Sequence, residues 1–156
     1  MSRCFRGLPP LHQMIVAYLH EALKGFVSAR RLRRVFQAPV PVQLWRGKFR
    51  EPDLVLVRAS SRELRASKNL KSAVLVVEVV SSDDPERDWN DKAREYARAG
   101  IQEYWIVDPE REVAAFYTLK RRAFKLHGEF HKGQRATSRF LDGFSVAVEA
   151  ALAGED

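Results

Sequence analysis

One run of eight residues, 73–80, reads AVLVVEVV and leaves few folds open. Apolar side chains fall on both parities, so a strand built from them has to be covered on both faces, as in the middle of an α/β sheet. One position breaks the run. Glu78 shares its parity with Val74, Val76 and Val80, and an ionised carboxylate there is costly unless a cation or hydrogen-bond donors meet it. The chain around this strand has 156 residues and no linker, repeat or low-complexity tract. It reads as a single domain over residues 1–156.

Helical spacing marks residues 10–24, where Leu11, Ile15, Tyr18, Leu19 and Ala22 recur every three or four positions between Pro10 and a stop at Gly25. Strand patterns follow at 32–37 and 40–45, bent by Pro39 and Pro41. A turn at 45–49 leads to a third strand, 53–57, and residues 58–72 read as a polar surface loop with at most a short helical turn. Beyond the central strand, 86–99 is helical, with Asp84 placed to cap it, Pro85 at its first position and Gly100 to end it. Residues 104–107 form a buried strand and 112–119 a half-buried one. Weaker strand signals at 123–127 and 135–140, and an apolar stretch at 144–152, complete the chain. The fold class is α/β, a central mixed sheet flanked by helices with a β-rich C-terminal extension.

The helix at 86–99 carries the second violation. At about 100° per residue, Lys92 shares its direction with Asp88, Trp89, Tyr96 and Ala99, while Asn90, Arg94 and Arg98 take the solvated side. The ammonium is thereby aimed at the sheet and needs an anion. Glu78 lies fourteen positions earlier across one strand-to-helix connection, and pairing the two resolves both anomalies. Asp53, directly after Pro52, opens the strand at 53–57. If that strand pairs with 73–80, two carboxylates and one ammonium converge. Carboxylates that close repel unless a divalent cation lies between them, and magnesium takes one or two protein carboxylates together with phosphate oxygens. A lysine beside such a cation stabilises or deprotonates the attacking hydroxide, its pKa falling readily on burial. The set suits phosphodiester hydrolysis. A plain buried ion pair, with Asp53 as a cap, is the structural alternative at this point.

The text EPDLVLV, followed by LVVEVVSSDDPERDWNDKAREYARAGIQEYWIVDPE, resembles the PD-(D/E)XK nuclease superfamily and, within it, the Uma-two family of proposed restriction endonucleases. The likeness covers residues 51–110 and, less specifically, DGFSVAV at 142–148. It implies a restriction-endonuclease-like sheet and assigns Asp53, Glu78 and Lys92 as catalytic residues. Two positions after Glu78, where the linear motif has its lysine, stands Val80; the family pattern places the lysine on the following helix, at Lys92. Asp88 falls on the same pattern as a supporting partner of Lys92. Asp53, Glu78 and the backbone carbonyl of Val79 are the implied protein ligands of Mg2+ or Mn2+. The implied substrate is nucleic acid, most often DNA, and a homodimer stays open although no interface stripe stands out. Family members usually carry strands and a polar loop ahead of the helix that LHQMIVAYLHEAL resembles, so a reduced sheet edge or substrate wall is expected here.

Charge supports a polyanionic partner. Lysine and arginine number 27 against 20 acids, a net charge of +7, and cations near phosphates release condensed counterions. Trp45 and Phe49 flank a basic turn with Arg46, Lys48 and Arg50, which together with Lys68 are the expected nucleic-acid contacts. Arg30, Arg31, Arg33, Arg34 and Lys71 are further phosphate candidates. Tyr96, Tyr104 and Trp105 fit core packing better than base stacking. His12, His20 and Glu21 read as a solvated helix face, with Glu21 an auxiliary at most. His127 and His131 read as surface residues around a turn at Gly128, not zinc ligands. A lone cysteine, Cys4, excludes an internal disulfide, and no glycine-rich phosphate loop points to a kinase or motor. No apolar run approaches the roughly 20 residues that span a bilayer, and none of signal-peptide length precedes the first helix, so a cytoplasmic location without membrane association is expected. The reading is a metal-dependent endonuclease. The second reading is a catalytically inactive module of the same fold that binds nucleic acid or a protein partner.

Overall fold

The computed structural model describes residues 9–30, 33–81 and 83–156. The first half runs α1 (Pro10–Val27), β1 (Arg33–Gln37), β2 (Val42–Trp45), β3 (Lys48–Arg50), β4 (Leu54–Arg58), α2 (Ser61–Ala66) and β5 (Ala73–Val79). After a π-helical turn at Arg87–Asp91 come α3 (Lys92–Arg98), β6 (Glu103–Asp108), β7 (Val113–Lys120) and β8 (Ala123–His131). The tail adds β9 (Arg135–Thr137), β10 (Ser145–Ala147) and α4 (Val148–Ala153). Cys4, Arg31 and Leu32 lie outside the described residues.

Six strands form the main sheet in the order β1-β4-β5-β6-β7-β8. The run at 73–80 is its third strand, antiparallel to β4 with Leu54 opposite Val77, and parallel to β6 with Val76 opposite Tyr104. A parallel neighbour needs a crossover, and the π turn with α3 supplies it. Both faces of β5 are covered, as its two-parity pattern requires. Leu75, Val77 and Val79 pack with Ile15, Leu19 and Leu23 of α1 and with Phe144 and Leu152 of the tail. Val76 and Val80 pack on the other side against Tyr96, Ile101 and Tyr104. The fold class is therefore as the pattern required, an α/β mixed sheet with helices and a tail of short strands and one helix.

Several local expectations give way to tertiary context. Residues 40–50 do not join the main sheet; β2 and β3 make a separate hairpin, closed by Gly47 at φ 83°. The polar segment 58–72 contains α2, whose Ser60 accepts from the Glu63 N–H while the Glu63 carboxylate returns to the Ser60 N–H. This reciprocal cap secures a helix of only six residues. Asp84 caps the next helix through its backbone, its carbonyl accepting the Arg87 N–H at 3.3 Å. That helix is not uniform. The Lys92 N–H reaches back five residues to the Arg87 carbonyl, a π turn of the kind often found at functional sites. Gly128 with His127 and His131 lies inside β8 rather than at a turn.

Two buried acids outside the suspected site are structural. Glu103, fully buried on β6, accepts from Trp105 Nε1 at 3.0 Å, Ser138 Oγ at 2.9 Å and the Phe140 N–H at 2.8 Å, fastening the tail to the sheet. Asp108 accepts the Glu110 and Arg111 N–H groups, both at 3.0 Å, and turns the chain into β7. The two ends of the described chain also meet. Gly154 ends α4 in the left-handed conformation at φ 72°, so close to α1 that a Cβ there would lie 2.6 Å from the Met14 Cβ. Among the described residues no helix is long and apolar enough to cross a membrane.

Candidate active site

Pairing of β4 with β5 in the observed register sets Asp53, one residue before Leu54, beside Glu78, one residue after Val77. The two carboxylates are laced to each other's backbone. Glu78 Oε1 accepts the Asp53 N–H at 3.0 Å, and Asp53 Oδ2 accepts the Val79 N–H at 2.7 Å. Neither side chain can leave without surrendering a hydrogen bond to a partly buried amide.

The crossover delivers the cation. The π turn puts Asp88 and Lys92 on the inner side of the helix, and Lys92 Nζ lies 2.6 Å from Glu78 Oε2 and 2.7 Å from Asp88 Oδ1. Tyr96, one turn later, donates its hydroxyl to Glu78 Oε2 at 3.2 Å. The Tyr104 hydroxyl fixes the turn itself by donating to the Asp88 carbonyl at 2.8 Å. Asp53, Glu78, Lys92 and Asp88 are thus brought together, and the Val79 carbonyl lies beside them.

His12 joins the cluster, against the expectation of a solvated helix face. The buried stripe of α1 is His12, Ile15, Val16, Leu19 and Leu23, whereas Leu11 is 43% exposed. His12 Nε2 donates to the Val79 carbonyl at 3.0 Å and lies 3.4 Å from Asp53 Oδ2. Its Nδ1 is buried without a partner among the described residues. Sequence reading missed His12 because α1 was phased on Leu11. Phasing on Ile15, Leu19 and Leu23 would have turned His12 inward. Glu21, by contrast, is exposed and takes no part.

Burial sets the electrostatics. Three carboxylates, from Asp53, Glu78 and Asp88, face one ammonium. Desolvation pushes the Glu78 carboxyl up to about 7; Lys92 opposes that rise, and the charges of Asp53 and Asp88 add to it. Burial likewise raises Asp88. Lys92 goes the other way from the sequence expectation. Burial lowers its pKa, but the charge of Glu78 and the hydrogen bonds to Asp88 and Glu78 outweigh that, so the group is raised and stays an ammonium. For His12, too, burial is outweighed by Asp53, the Val79 carbonyl and Glu78, and the pKa is raised.

The expected nucleic-acid turn is placed differently. Lys48 and Arg50 are both spent on Glu95 of α3, at 3.0 and 2.6 Å. The Trp45 ring is covered by Arg98 at 4.1 Å. Arg46 and Lys68 are exposed. A stronger basic surface lies between the C-terminal half of α1, the outer edge of β1 and α2. Lys24, Arg30, Arg33, Arg34 and Arg65 line a groove of about 750 Å³ with His20, and no carboxylate is among its lining residues. His20 Nδ1 bonds Gln37 Oε1 at 3.0 Å, and the next residue, Ala38, donates its N–H to the Asp53 carbonyl at 3.0 Å, which links the groove's rim to Asp53 through one peptide unit.

A mixed sheet that sets two carboxylates side by side on adjacent strands, with a lysine on the crossover helix, is the arrangement that the resemblance to restriction-endonuclease-like nucleases implies. The chain belongs to the Uma2 family, described as "Putative restriction endonuclease", which matches residues 5–149. Among solved structures it is similar to that of a "putative nuclease" of a domain family of unknown function from Anabaena variabilis. The two are 14% identical over 94% of this chain and 82% of that one, with a TM-score of 0.74. At that identity the likeness is one of fold. No curated protein matches the chain.

Proposed function

We propose that the protein is a divalent-metal-dependent endonuclease that hydrolyses phosphodiester bonds in nucleic acid, DNA in the first place, in the cytoplasm. The observation that carries this reading is the meeting of Asp53 and Glu78 across β4 and β5 with Lys92 bonded to Glu78. A stabilising ion pair needs one carboxylate per ammonium. Here two, Glu78 and Asp88, share a single lysine and a third, Asp53, lies beside Glu78; burial first, and then the charges of Asp53 and Asp88, raise the Glu78 carboxyl.

The donor set fits magnesium or manganese. Asp53, Glu78 and the Val79 carbonyl offer hard oxygens on two adjacent strands, and their surplus charge is what a divalent cation offsets. Such an ion, when bound, supplies Lewis-acid polarisation of a phosphate oxygen and lowers the pKa of a bound water. The chain's own part is positioning. The Val79 N–H orients the Asp53 carboxylate, and the Asp53 N–H and the Tyr96 hydroxyl orient that of Glu78. Lys92 Nζ is held between Glu78 Oε2 and Asp88 Oδ1, an ammonium positioned beside the carboxylates. Asp88 holds the ammonium at that place.

The basic groove beside β1 carries the nucleic-acid backbone in this reading, since five cationic side chains without an acid between them suit a row of phosphates. Incubation with supercoiled plasmid and Mg2+ or Mn2+ tests the proposal. Nicks are expected that stop with EDTA, and Glu78→Gln is expected to slow them on the order of a hundredfold or more. Equal nicking by the wild type and Glu78→Gln, or none by either in any divalent metal, overturns it.

A further inference from the structure

The basic groove is built on the edge of a strand. Val35 and Phe36 are consecutive in β1, so they point to opposite faces of the sheet, and each packs with a different half of the core. Both nonetheless line the groove, together with Val27 of α1 and Leu64 of α2. Only a channel that runs along the strand's edge, between the two layers, meets them both. β1 is the first strand of the main sheet, and no strand pairs with its outer side among the described residues.

The register decides which peptide groups face that channel. The Ala38 N–H donates inward, to the Asp53 carbonyl at 3.0 Å. In an antiparallel pair the bonded positions alternate, so Phe36 and Arg34, opposite Val55 and Val57, also turn their peptide groups toward β4. The N–H and C=O of Val35 are left pointing outward, with no backbone partner among the described residues. The channel therefore has peptide donors and acceptors and apolar side chains at its floor and cations at its rim. Arg34 is fixed there by donating to Ser61 Oγ of α2, and Lys24, Arg30 and Arg65 stand around it without an acid.

This combination selects among polyanions. A duplex carries its phosphates outside and keeps its bases paired, so it engages the rim and leaves the floor unused. An unpaired strand uses both: its phosphates meet the cations, its base edges meet the Val35 peptide groups, and its base faces cover the apolar floor. The five residues of β1 span about 17 Å, room for roughly four nucleotides, the low end of single-strand site sizes. An acidic peptide adding to the sheet edge is the protein counterpart. The Ala38–Asp53 bond favours the nucleic acid, because a phosphodiester chain lying along β1 leads on to the carboxylates.

We infer that the edge of β1 binds an unpaired stretch of nucleic acid, and hence that the substrate is DNA with a single-stranded tract (a flap, gap or splayed arm) beside the scissile phosphate. The inference rests on the proposed nuclease reading and names the form of its substrate. The full chain in EDTA, where no cleavage intervenes, is titrated with a short labelled dT oligonucleotide and with a labelled duplex of equal length. The single strand is expected to bind at least about tenfold tighter at the same salt. The same strand carrying 5-iodouracil is expected, on irradiation, to cross-link to β1, α2 or the C-terminal half of α1. Equal or tighter binding of the duplex, or cross-links confined to other elements, overturns the inference while metal-dependent nicking of plasmid stands. Tighter binding of an alternating glutamate–valine peptide that displaces the strand overturns it in favour of a protein partner. Absence of binding with nicking intact overturns the inference alone, and absence of both overturns the nuclease reading with it. All of these are measured on the wild type, so no variant has to fold for the inference to be decided.

Discussion

Lys92 is the counter-ion on which two buried carboxylates depend. It is the sole ammonium in contact with Glu78 and Asp88 among the described residues, at 2.6 and 2.7 Å. Replacing it by Met keeps the aliphatic stem and removes the charge. The two buried carboxylates then lose their counter-ion, and Lys92→Met is expected to lose about 3 kcal/mol of stability by chemical denaturation in EDTA. Glu78→Gln has the opposite signature. It deletes one of three neighbouring carboxylates; the amide oxygen can serve the Asp53 N–H, while Lys92 keeps Asp88 and the amide NH2 must turn from Lys92 and the Tyr96 hydroxyl. Its melting temperature in EDTA is expected to stay within a few degrees of the wild type's, because relief of carboxylate crowding offsets the lost acceptor, while the rise on adding Mn2+ disappears. A fall well beyond that in EDTA would mean that Glu78 serves the fold first. At this scale much could be read from the sequence. Glu78 and Lys92 advertised themselves as charges at apolar positions, and Asp53 by its place at a strand start. His12 did not, because an imidazole on an amphipathic helix breaks no rule until the helix is phased against the sheet.

Elements, rather than single side chains, decide where the lysine arrives. The π turn lies between β5 and α3 and aims Asp88 and Lys92 inward, and nothing in a four-residue spacing distinguishes it from a plain α-turn. The β2–β3 hairpin was hidden for a related reason: Trp45 to Phe49 has turn chemistry, but whether the flanking strands join the main sheet depends on partners far away. The hairpin proves to be a brace. Glu95 of α3 receives Arg50 Nε at 2.6 Å and Lys48 Nζ at 3.0 Å, tying the lysine-bearing helix to the hairpin. Chiefly through the Arg50 hydrogen bond, the Glu95 pKa is lowered from its ordinary 4.5. A depressed folded-state pKa contributes stability above the unfolded value and loses it as pH falls through the folded one. Glu95→Gln is therefore expected to be less stable than wild type by about 1 kcal/mol at neutral pH. The gap should close as acid titrates the carboxylate. A gap that is constant with pH would assign the effect to packing instead.

For the molecule as a whole, the net charge of +7 anticipated a polyanion but not where it would lie. The sequence drew attention to the basic turn with its two aromatic residues, whose Lys48 and Arg50 are in fact committed to Glu95. Its other candidates, Arg30, Arg33 and Arg34, come together with Lys24 and Arg65 only when α1 and α2 close on the edge of β1. Linear charge counts cannot see such a convergence. If the groove carries phosphates, Arg34→Glu with Arg65→Glu should weaken binding of a labelled DNA in EDTA. The slope of log affinity against log salt should shrink by about two, roughly one per lost contact. The same double change should leave the Mn2+ affinity of the acidic site unaltered. An unchanged slope would move the strand elsewhere on the surface. The core was easier to foresee, since a two-sided apolar strand permits little else. The anchor that fastens the tail was not, because Glu103 sits at a strand start where an acid looks ordinary.

The seat of Gly154 against Met14 reaches further than its position suggests. Met14 is only two residues from His12, and Tyr18, one turn on, donates to Asp156 Oδ1 at 2.7 Å. The last turn of the chain is in effect a doorstop for the helix that presents the imidazole. A bulky fusion at the C-terminus, or a methyl group at 154, would press on α1 and nudge the ring away from Val79. Melting curves of the tagged and untagged protein, compared side by side, would then register the tag through α1.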